Sequence, residues 1–437
     1  MKNKKIIKSF SIKGLFGTTD VNIPFDENVK ILIGENGMGK TQVLNILNYT
    51  LNQRFEKLAE YNFESVFLEF ESGKKVKINR QNIRYSDTVI NKIIERIGVQ
   101  KFLNMKKKKN DINISYIQHL SDSLSLPIES ILKALQGGEI EDTSELLSST
   151  LNQYKVILTE QLSNFQILYF PTYRKIEQDL QNLGYDEDDE RLINFGMTDV
   201  ENRFNKLTKQ IQSLSTEGLA NISGEILSQL AEEGIPKIDK TMLNNIDKKD
   251  IDIIFARAGN KISTEQKERI KTIVKTGNIQ AKDEFLLYFL QKLIHIYDKQ
   301  REIDNSIKDF RDVCNKYLYN KTLIYDESKI EIYIQLNDNS QTRLPLAKLS
   351  LGERQIISIF SEIYLSPPDC NFIVLFDEPE LSLSIFWQRN LLPDIYNSGK
   401  CPFLFAVTHS PFVFENYLDK YAVALSQYLT PSNLVLA

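Results

Sequence analysis

The 437-residue chain is poor in the residues that disulfide and metal chemistry need. Its three cysteines, Cys314, Cys370 and Cys401, lie far apart with no CxxC between them. That excludes a disulfide framework and a structural zinc, and it makes the reduced cytoplasm the expected compartment. Histidines are equally scarce: His119, His295 and His409. An HNH nuclease needs several clustered together, and His119 and His295 stand alone on segments of helical spacing, where they read as surface or boundary residues rather than ligands. No run approaches the roughly 20 apolar residues of a membrane span, so no membrane segment is expected. The start, MKNKKIIKSF, is basic but passes directly into strand alternation rather than an apolar signal core. Few residues follow Pro411 in this sequence, so an appended Toprim nuclease is not expected. The net charge of −4 argues against a uniformly basic nucleic-acid coat, although local basic faces stay open. What remains is a chain with enough apolar residues for a core and enough length for two or three domains.

Against those absences, residues 34 to 41 stand out. They read GENGMGKT and match G-x-x-x-x-G-K-[ST] at Gly34, Gly39, Lys40 and Thr41. The run Val29 to Ile33 before it is an apolar buried-strand pattern, and Val43, Leu44, Ile46 and Leu47 after it have helical spacing. Strand, glycine loop and helix together make a phosphate cradle, with backbone N–H groups and a helix N-terminus supplying positive potential. Gly34, Asn36, Gly37, Gly39, Lys40, Thr41 and Gln42 are the expected nucleotide contacts. Lys40 is expected on the β- and γ-phosphates, and the Thr41 hydroxyl on Mg²⁺. The expected cofactors are therefore ATP and Mg²⁺.

Far downstream, residues 372 to 379 read FIVLFDEP, a buried-strand pattern ending in two carboxylates. Asp377 is expected to join Thr41 in the Mg²⁺ shell, and Glu378 to polarise the attacking water. LSLGERQ at 349 to 355 opens a helical pattern just upstream, and AVTHSP places His409 at the end of the next apolar run.

Together these motifs resemble the ABC ATPases. LSLGERQ is similar to their signature, DEPELSLS to a Walker B motif running into the D-loop, and Thr408 to Pro411 to the H-switch. The resemblance implies an α/β ABC head, a mixed sheet flanked by helices and split by a mostly helical insertion. It also implies that two heads meet face to face, with Ser350, Gly352 and Glu353 of one closing on the nucleotide held by the other. Lys40, Glu378 and His409 are then the catalytic set.

The chain divides on this reading into 1–80 (first half of the head), 81–165 (helical), 166–180 (a head strand and turn), 181–318 (helical insertion) and 319–437 (second half of the head). A hairpin is expected over Phe63 to Phe70 and Lys75 to Ile78, and strands at 322–325 and 330–335. Ser263 and Gln266 form a capping box opening a helical stripe that runs through Leu286, Leu290, Leu293 and Ile307. The stripe is too short and irregular for long coiled-coil arms, and a packed helical subdomain is expected. The cluster Tyr173, Arg174 and Lys175 reads equally as a γ-phosphate sensor, a DNA-facing edge or a solvated turn.

More narrowly, Lys13 to Gly17, FPTYRKIEQD at 170–179 and DEPELSLSIFWQRNLLPDI at 377–395 resemble stand-alone ABC ATPases of bacterial anti-phage defence. The PtuA ATPases of Septu and retron systems come first, and the AriA ATPases of PARIS second. That implies a homo-oligomeric ATPase that regulates a separate nuclease, an HNH protein like PtuB ahead of a Toprim protein, with nucleic acid reached through the complex. Two departures stand out. Ser384 replaces the usual Asp or His of the D-loop, which predicts slow or regulated hydrolysis. Met38 replaces a small residue, and nucleotide binding should survive because only its backbone need face phosphate. A RecF- or SMC-like DNA-maintenance ATPase is the alternative, and a transporter subunit is disfavoured by the interrupted head.

Overall fold

A computed structural model describes residues 5–81, 83, 114–124, 128, 141–171, 196–231, 248–258, 263–276, 284–338 and 342–432. Its strands are β1 (Ile7–Leu15), β2 (Thr19–Pro24), β3 (Val29–Ile33), β4 (Ser65–Phe70), β5 (Lys75–Asn79), β6 (Gln166–Phe170), β7 (Lys321–Asp326), β8 (Glu331–Leu336), β9 (Arg343–Leu344), β10 (Phe372–Asp377), β11 (Phe403–Thr408), β12 (Ala422–Ala424) and β13 (Leu429–Pro431). The fold is α/β, and two compact units divide the chain.

The first unit comprises residues 1–177 and 370–437. One sheet is wholly parallel, in the order β12-β3-β11-β10-β6. Every residue of β10 and β11 is buried, which is why both read as unbroken apolar runs rather than alternations. The second sheet is antiparallel, in the order β13-β2-β1-β4-β5, and its longer strands largely alternate. The expected hairpin is β4–β5, turning at Gly73 with φ +83°. Between the sheets, Phe10, Ile12, Ile23 and Leu68 meet Leu44 and Leu47 of the helix Lys40–Leu51 and Ile373 and Phe405 of the parallel sheet. The mixed character expected of one sheet is thus shared between two.

The second unit, residues 178–369, holds the helices Met197–Ala231, Lys248–Ala258, Thr264–Thr276, Glu284–Asn315 and Leu351–Tyr364, with the antiparallel sheet β7-β8-β9. Ser263 and Gln266 make the capping box reciprocally, at 2.9 and 3.3 Å. Leu287, Leu290 and Leu293 of the helix Glu284–Asn315 pack on Ile251, Ile254, Phe255 and Ile270, so the apolar stripe is covered within the unit. The signature helix Leu351–Tyr364 groups by packing with this unit, whereas motif order assigns residues 319–437 to the head. Among the described residues no helix is long and apolar enough to cross a membrane.

Candidate nucleotide site

Parallel pairing brings the motifs together. Asp377 is level with Val407 and Thr408 with Ile33, so β10, β11 and β3 end side by side at their C-terminal edge. That edge is where open parallel sheets place ligands. Out of β3 comes the glycine loop. Gly37 and Gly39 hold φ +88° and +86°, values that L side chains rarely adopt, so the loop needs glycine at both positions. A side chain at Gly39 would also meet the Phe16 ring at 3.0 Å. Asn36 and Gly37 form the exposed crown of the loop, while Gly34 and Gln42 are half-buried. Met38 folds back across the loop base, where its sulfur lies 3.2 Å from the Glu35 amide as acceptor.

Lys40 is buried at 5% exposure. Its ammonium donates to the carbonyls of Gly34 at 2.6 Å and Glu35 at 3.3 Å, and lies 3.3 Å from Glu378 Oε1. One residue on, Thr41 Oγ1 donates to Asp377 Oδ1 at 3.0 Å. A hydroxyl and a buried carboxylate beside a phosphate cradle are the hard oxygen donors that Mg²⁺ prefers, so Thr41 and Asp377 fit as its holders. Bound there, the cation would neutralise charge on the phosphates.

Glu378 sits at φ +49°, a region sparsely populated by residues other than glycine. Its amide donates to the Val407 carbonyl at 2.9 Å, which holds the backbone in place. The side chain lies between Lys40 and His409, and His409 Nδ1 bonds Glu378 Oε2. Burial pushes the Glu378 carboxyl up, but its contacts with Glu380, His409 and Lys40 together hold it below the usual carboxylate range. Kept ionised, it is suited to accept a proton from water.

Glu380 behaves oppositely. Burial first, and the neighbouring Glu378 second, raise its carboxyl to about 7. Sequence reasoning gave Glu380 no role, because nothing in DEPELSLS distinguishes it from a solvated turn acid. Glu378, Glu380 and His409 form the one cluster of three metal-ligating side chains among the described residues.

The signature residues lie in the second unit. Ser350 caps the helix Leu351–Tyr364, accepting from the Glu353 amide at 3.4 Å, while Glu353 Oε2 accepts from the Ser350 amide at 2.9 Å. The first intrahelical bond runs from Arg354 N to Ser350 O, so the amides of Leu351 and Gly352 point out of the helix end. Glu353 is only 4% exposed and also pairs with Lys321 at 2.6 Å. Burial opposes its ionisation, yet Lys321 and Ser350 keep its carboxyl below the ordinary range. Its carboxylate therefore shapes the helix end that Ser350 caps.

Ser384 has a local duty that sequence reasoning missed. It caps the helix Ile385–Tyr396, its hydroxyl accepting from Trp387 N at 3.4 Å. His119 and His295 are both exposed, as expected of solitary surface histidines. Tyr173, Arg174 and Lys175 lie outside the described residues.

A glycine loop at the end of a parallel strand, a Thr–Asp pair, and a glutamate set between lysine and histidine define an ATPase of the ABC and SMC-like type. The chain belongs to the family described as AAA ATPase domain, which matches residues 6–414. An Escherichia coli protein described as "Retron Ec83 probable ATPase" is 24% identical over 200 residues. That match covers 38% of this chain and only 37% of the relative's length. Among solved structures, a Pyrococcus furiosus Smc head domain with an extended coiled coil, bound to the C-terminal domain of ScpA, is 12% identical. It covers 94% of this chain and 91% of its own, at a TM-score of 0.35. An SmcHead bound to the C-winged helix domain of ScpA is 10% identical, covering 93% and 90%, at 0.33. Scores this low add nothing to the reading of the site.

Proposed function

We propose that this chain hydrolyses ATP slowly, as the regulatory ATPase of an anti-phage defence system, and governs a separate nuclease through ATP-dependent closure of two heads. The observation that carries the chemistry is Glu378, held between Lys40 and His409 one residue beyond the Thr41–Asp377 pair. Glu378 takes the proton of the attacking water, Lys40 and His409 stabilise negative charge, and Thr41 and Asp377 hold Mg²⁺. Ser350 and Gly352, at the end of their helix, are the anion donors offered to nucleotide on a second copy. The retron relative and the likeness to PtuA support the defence setting, with an HNH protein like PtuB as the favoured partner. ATP then acts chiefly as a switch whose hydrolysis releases the closed state.

Purification of the tagged chain expressed together with its neighbouring genes, with mass spectrometry of whatever is retained, tests this. A stoichiometric small HNH protein is the expected result, and a Toprim protein moves the assignment to the AriA-like group. Recovery of the chain alone, as ATP-dependent dimers that retain DNA, overturns it in favour of a DNA-maintenance ATPase.

A further inference from the structure

Glu380 transfers no proton in the chemistry described above and enters it only as a neighbour of Glu378, yet it is only 5% exposed. Its Oε1 is a point of convergence. It accepts from the Thr408 hydroxyl at 2.8 Å, the His409 amide at 3.0 Å and the Ser410 amide at 3.1 Å. It also lies 2.9 Å from His409 Nδ1. These donors all belong to the three-residue turn that leaves β11 and carries His409 to Glu378. The same turn is held from its other side, where the Ser410 hydroxyl donates to Gln388 Oε1 at 2.8 Å. Gln388 Nε2 in turn donates to the Leu383 carbonyl at 2.9 Å, in the loop before the helix Ile385–Tyr396.

An oxygen that gathers two amides and a hydroxyl of one turn fixes the path of that turn. Removing it would take away the acceptor of the His409 amide. It would leave the Ser410 amide only Thr408 Oγ1 at 3.0 Å and the Thr408 hydroxyl only the Ser410 carbonyl at 3.4 Å, so on this side the turn would lose its anchor outside itself. We propose that Glu380 is a positioning residue for ATP hydrolysis: its Oε1 pins the turn 408–410, and the pinned turn keeps His409 on Glu378. The role needs an acceptor oxygen, which glutamine supplies and alanine does not. It acts through His409 and does not touch nucleotide. The proposal rests on the ATPase reading of the site.

The test is a double-mutant cycle in the full chain, using Glu380→Ala, Glu380→Gln, His409→Ala and the Glu380→Ala/His409→Ala pair. Turnover, KM and the affinity for a fluorescent ATP analogue are measured, with Glu378→Gln as reference. Glu380→Ala should lower kcat by roughly 30- to 100-fold, within the range for misplacing one catalytic group, with KM and affinity within about twofold of wild type. Glu380→Gln should recover to within about fivefold, and the pair should fall no further than His409→Ala alone. Wild-type turnover in Glu380→Ala, or losses that multiply in the pair, overturns the proposal. If Glu380→Ala does not fold, Glu380→Gln decides, and a loss as deep as that of His409→Ala counts against it. A wild-type chain with no turnover above Glu378→Gln defeats the hydrolysis reading itself, and this role with it, by a result that none of the Glu380 variants can mimic.

Discussion

Thr41 Oγ1 donates to Asp377 Oδ1 at 3.0 Å across 336 positions of sequence. The pair joins the first turn of the phosphate-loop helix to the end of β10, so it sets the spacing of the two oxygens proposed to hold Mg²⁺. Thr41→Ala should raise the Mg²⁺ concentration for half-maximal turnover by on the order of tenfold, equivalent to about 1.4 kcal/mol. Asp377→Ala should remove turnover at any attainable Mg²⁺, as should a chelator with the wild type. A Mg²⁺ titration that superimposes for Thr41→Ala and wild type would show that the hydroxyl is not a ligand.

Ser384 separates a structural duty from a catalytic one. As an N-cap its loss to alanine should cost about 1 kcal/mol, read from a chemical-denaturation curve. Aspartate caps equally well, so Ser384→Asp should keep that stability. It also restores the charge usual in a D-loop, and under the slow-turnover proposal it should raise kcat. Unchanged stability in Ser384→Ala would remove the cap from the account, and unchanged kcat in Ser384→Asp would detach this position from turnover.

The carboxyl pair predicts a pH dependence. Glu380 faces Glu378, His409 and the Thr408 hydroxyl, and Lys40 faces Glu378 from the glycine loop. In the folded chain Glu380 keeps its proton up to about pH 7, against an ordinary 4.5. The folded state therefore binds the extra proton between those values. The stability this group contributes is full below pH 4.5 and is lost as pH rises through 7. Glu378, held low, has the opposite sign: its contribution is present above 4.5 and is lost as pH falls. Glu380→Gln cannot titrate, so its urea midpoint should fall less than that of the wild type between about pH 5 and pH 7.5. Equal falls would mean that another group carries the proton.

In the second unit Arg257 forks onto Asp304, at 2.7 and 2.9 Å, and the side chains are only 4% and 0% exposed. Gln300 accepts from Arg257 at 2.6 Å, and the Tyr325 hydroxyl bonds Asp304. Asp304→Ala leaves a buried guanidinium without its counter-charge and should cost about 3–5 kcal/mol. A thermal melt lowered by only a degree or two would contradict the burial of this pair.

Some of this was legible in the residues, for identifiable reasons. The strand, loop and helix around Lys40 could be read because period and glycine spacing are local, and FIVLFD because a strand covered on both faces is apolar throughout. How the strands divide between two sheets could not be read, since periodicity does not say which strands share hydrogen bonds. β9, β12 and β13 are two or three residues long, too short to show alternation. Glu380 was illegible because its partners belong to a turn some thirty positions away, placed only by the parallel pairing of β10 with β11. The ion pair of Glu353 with Lys321 was illegible for the same reason, because its partner lies on β7, 32 positions away in sequence.

The most direct test of the central claim is phosphate release by wild type and Glu378→Gln at saturating ATP and Mg²⁺, with nucleotide affinity measured in parallel. The account predicts that Glu378→Gln binds ATP as well as wild type but turns it over on the order of 10²-fold more slowly or worse, the loss expected on removing a general base. Equal turnover by the two proteins would contradict it, because the proton of the attacking water would then have to go somewhere other than Glu378.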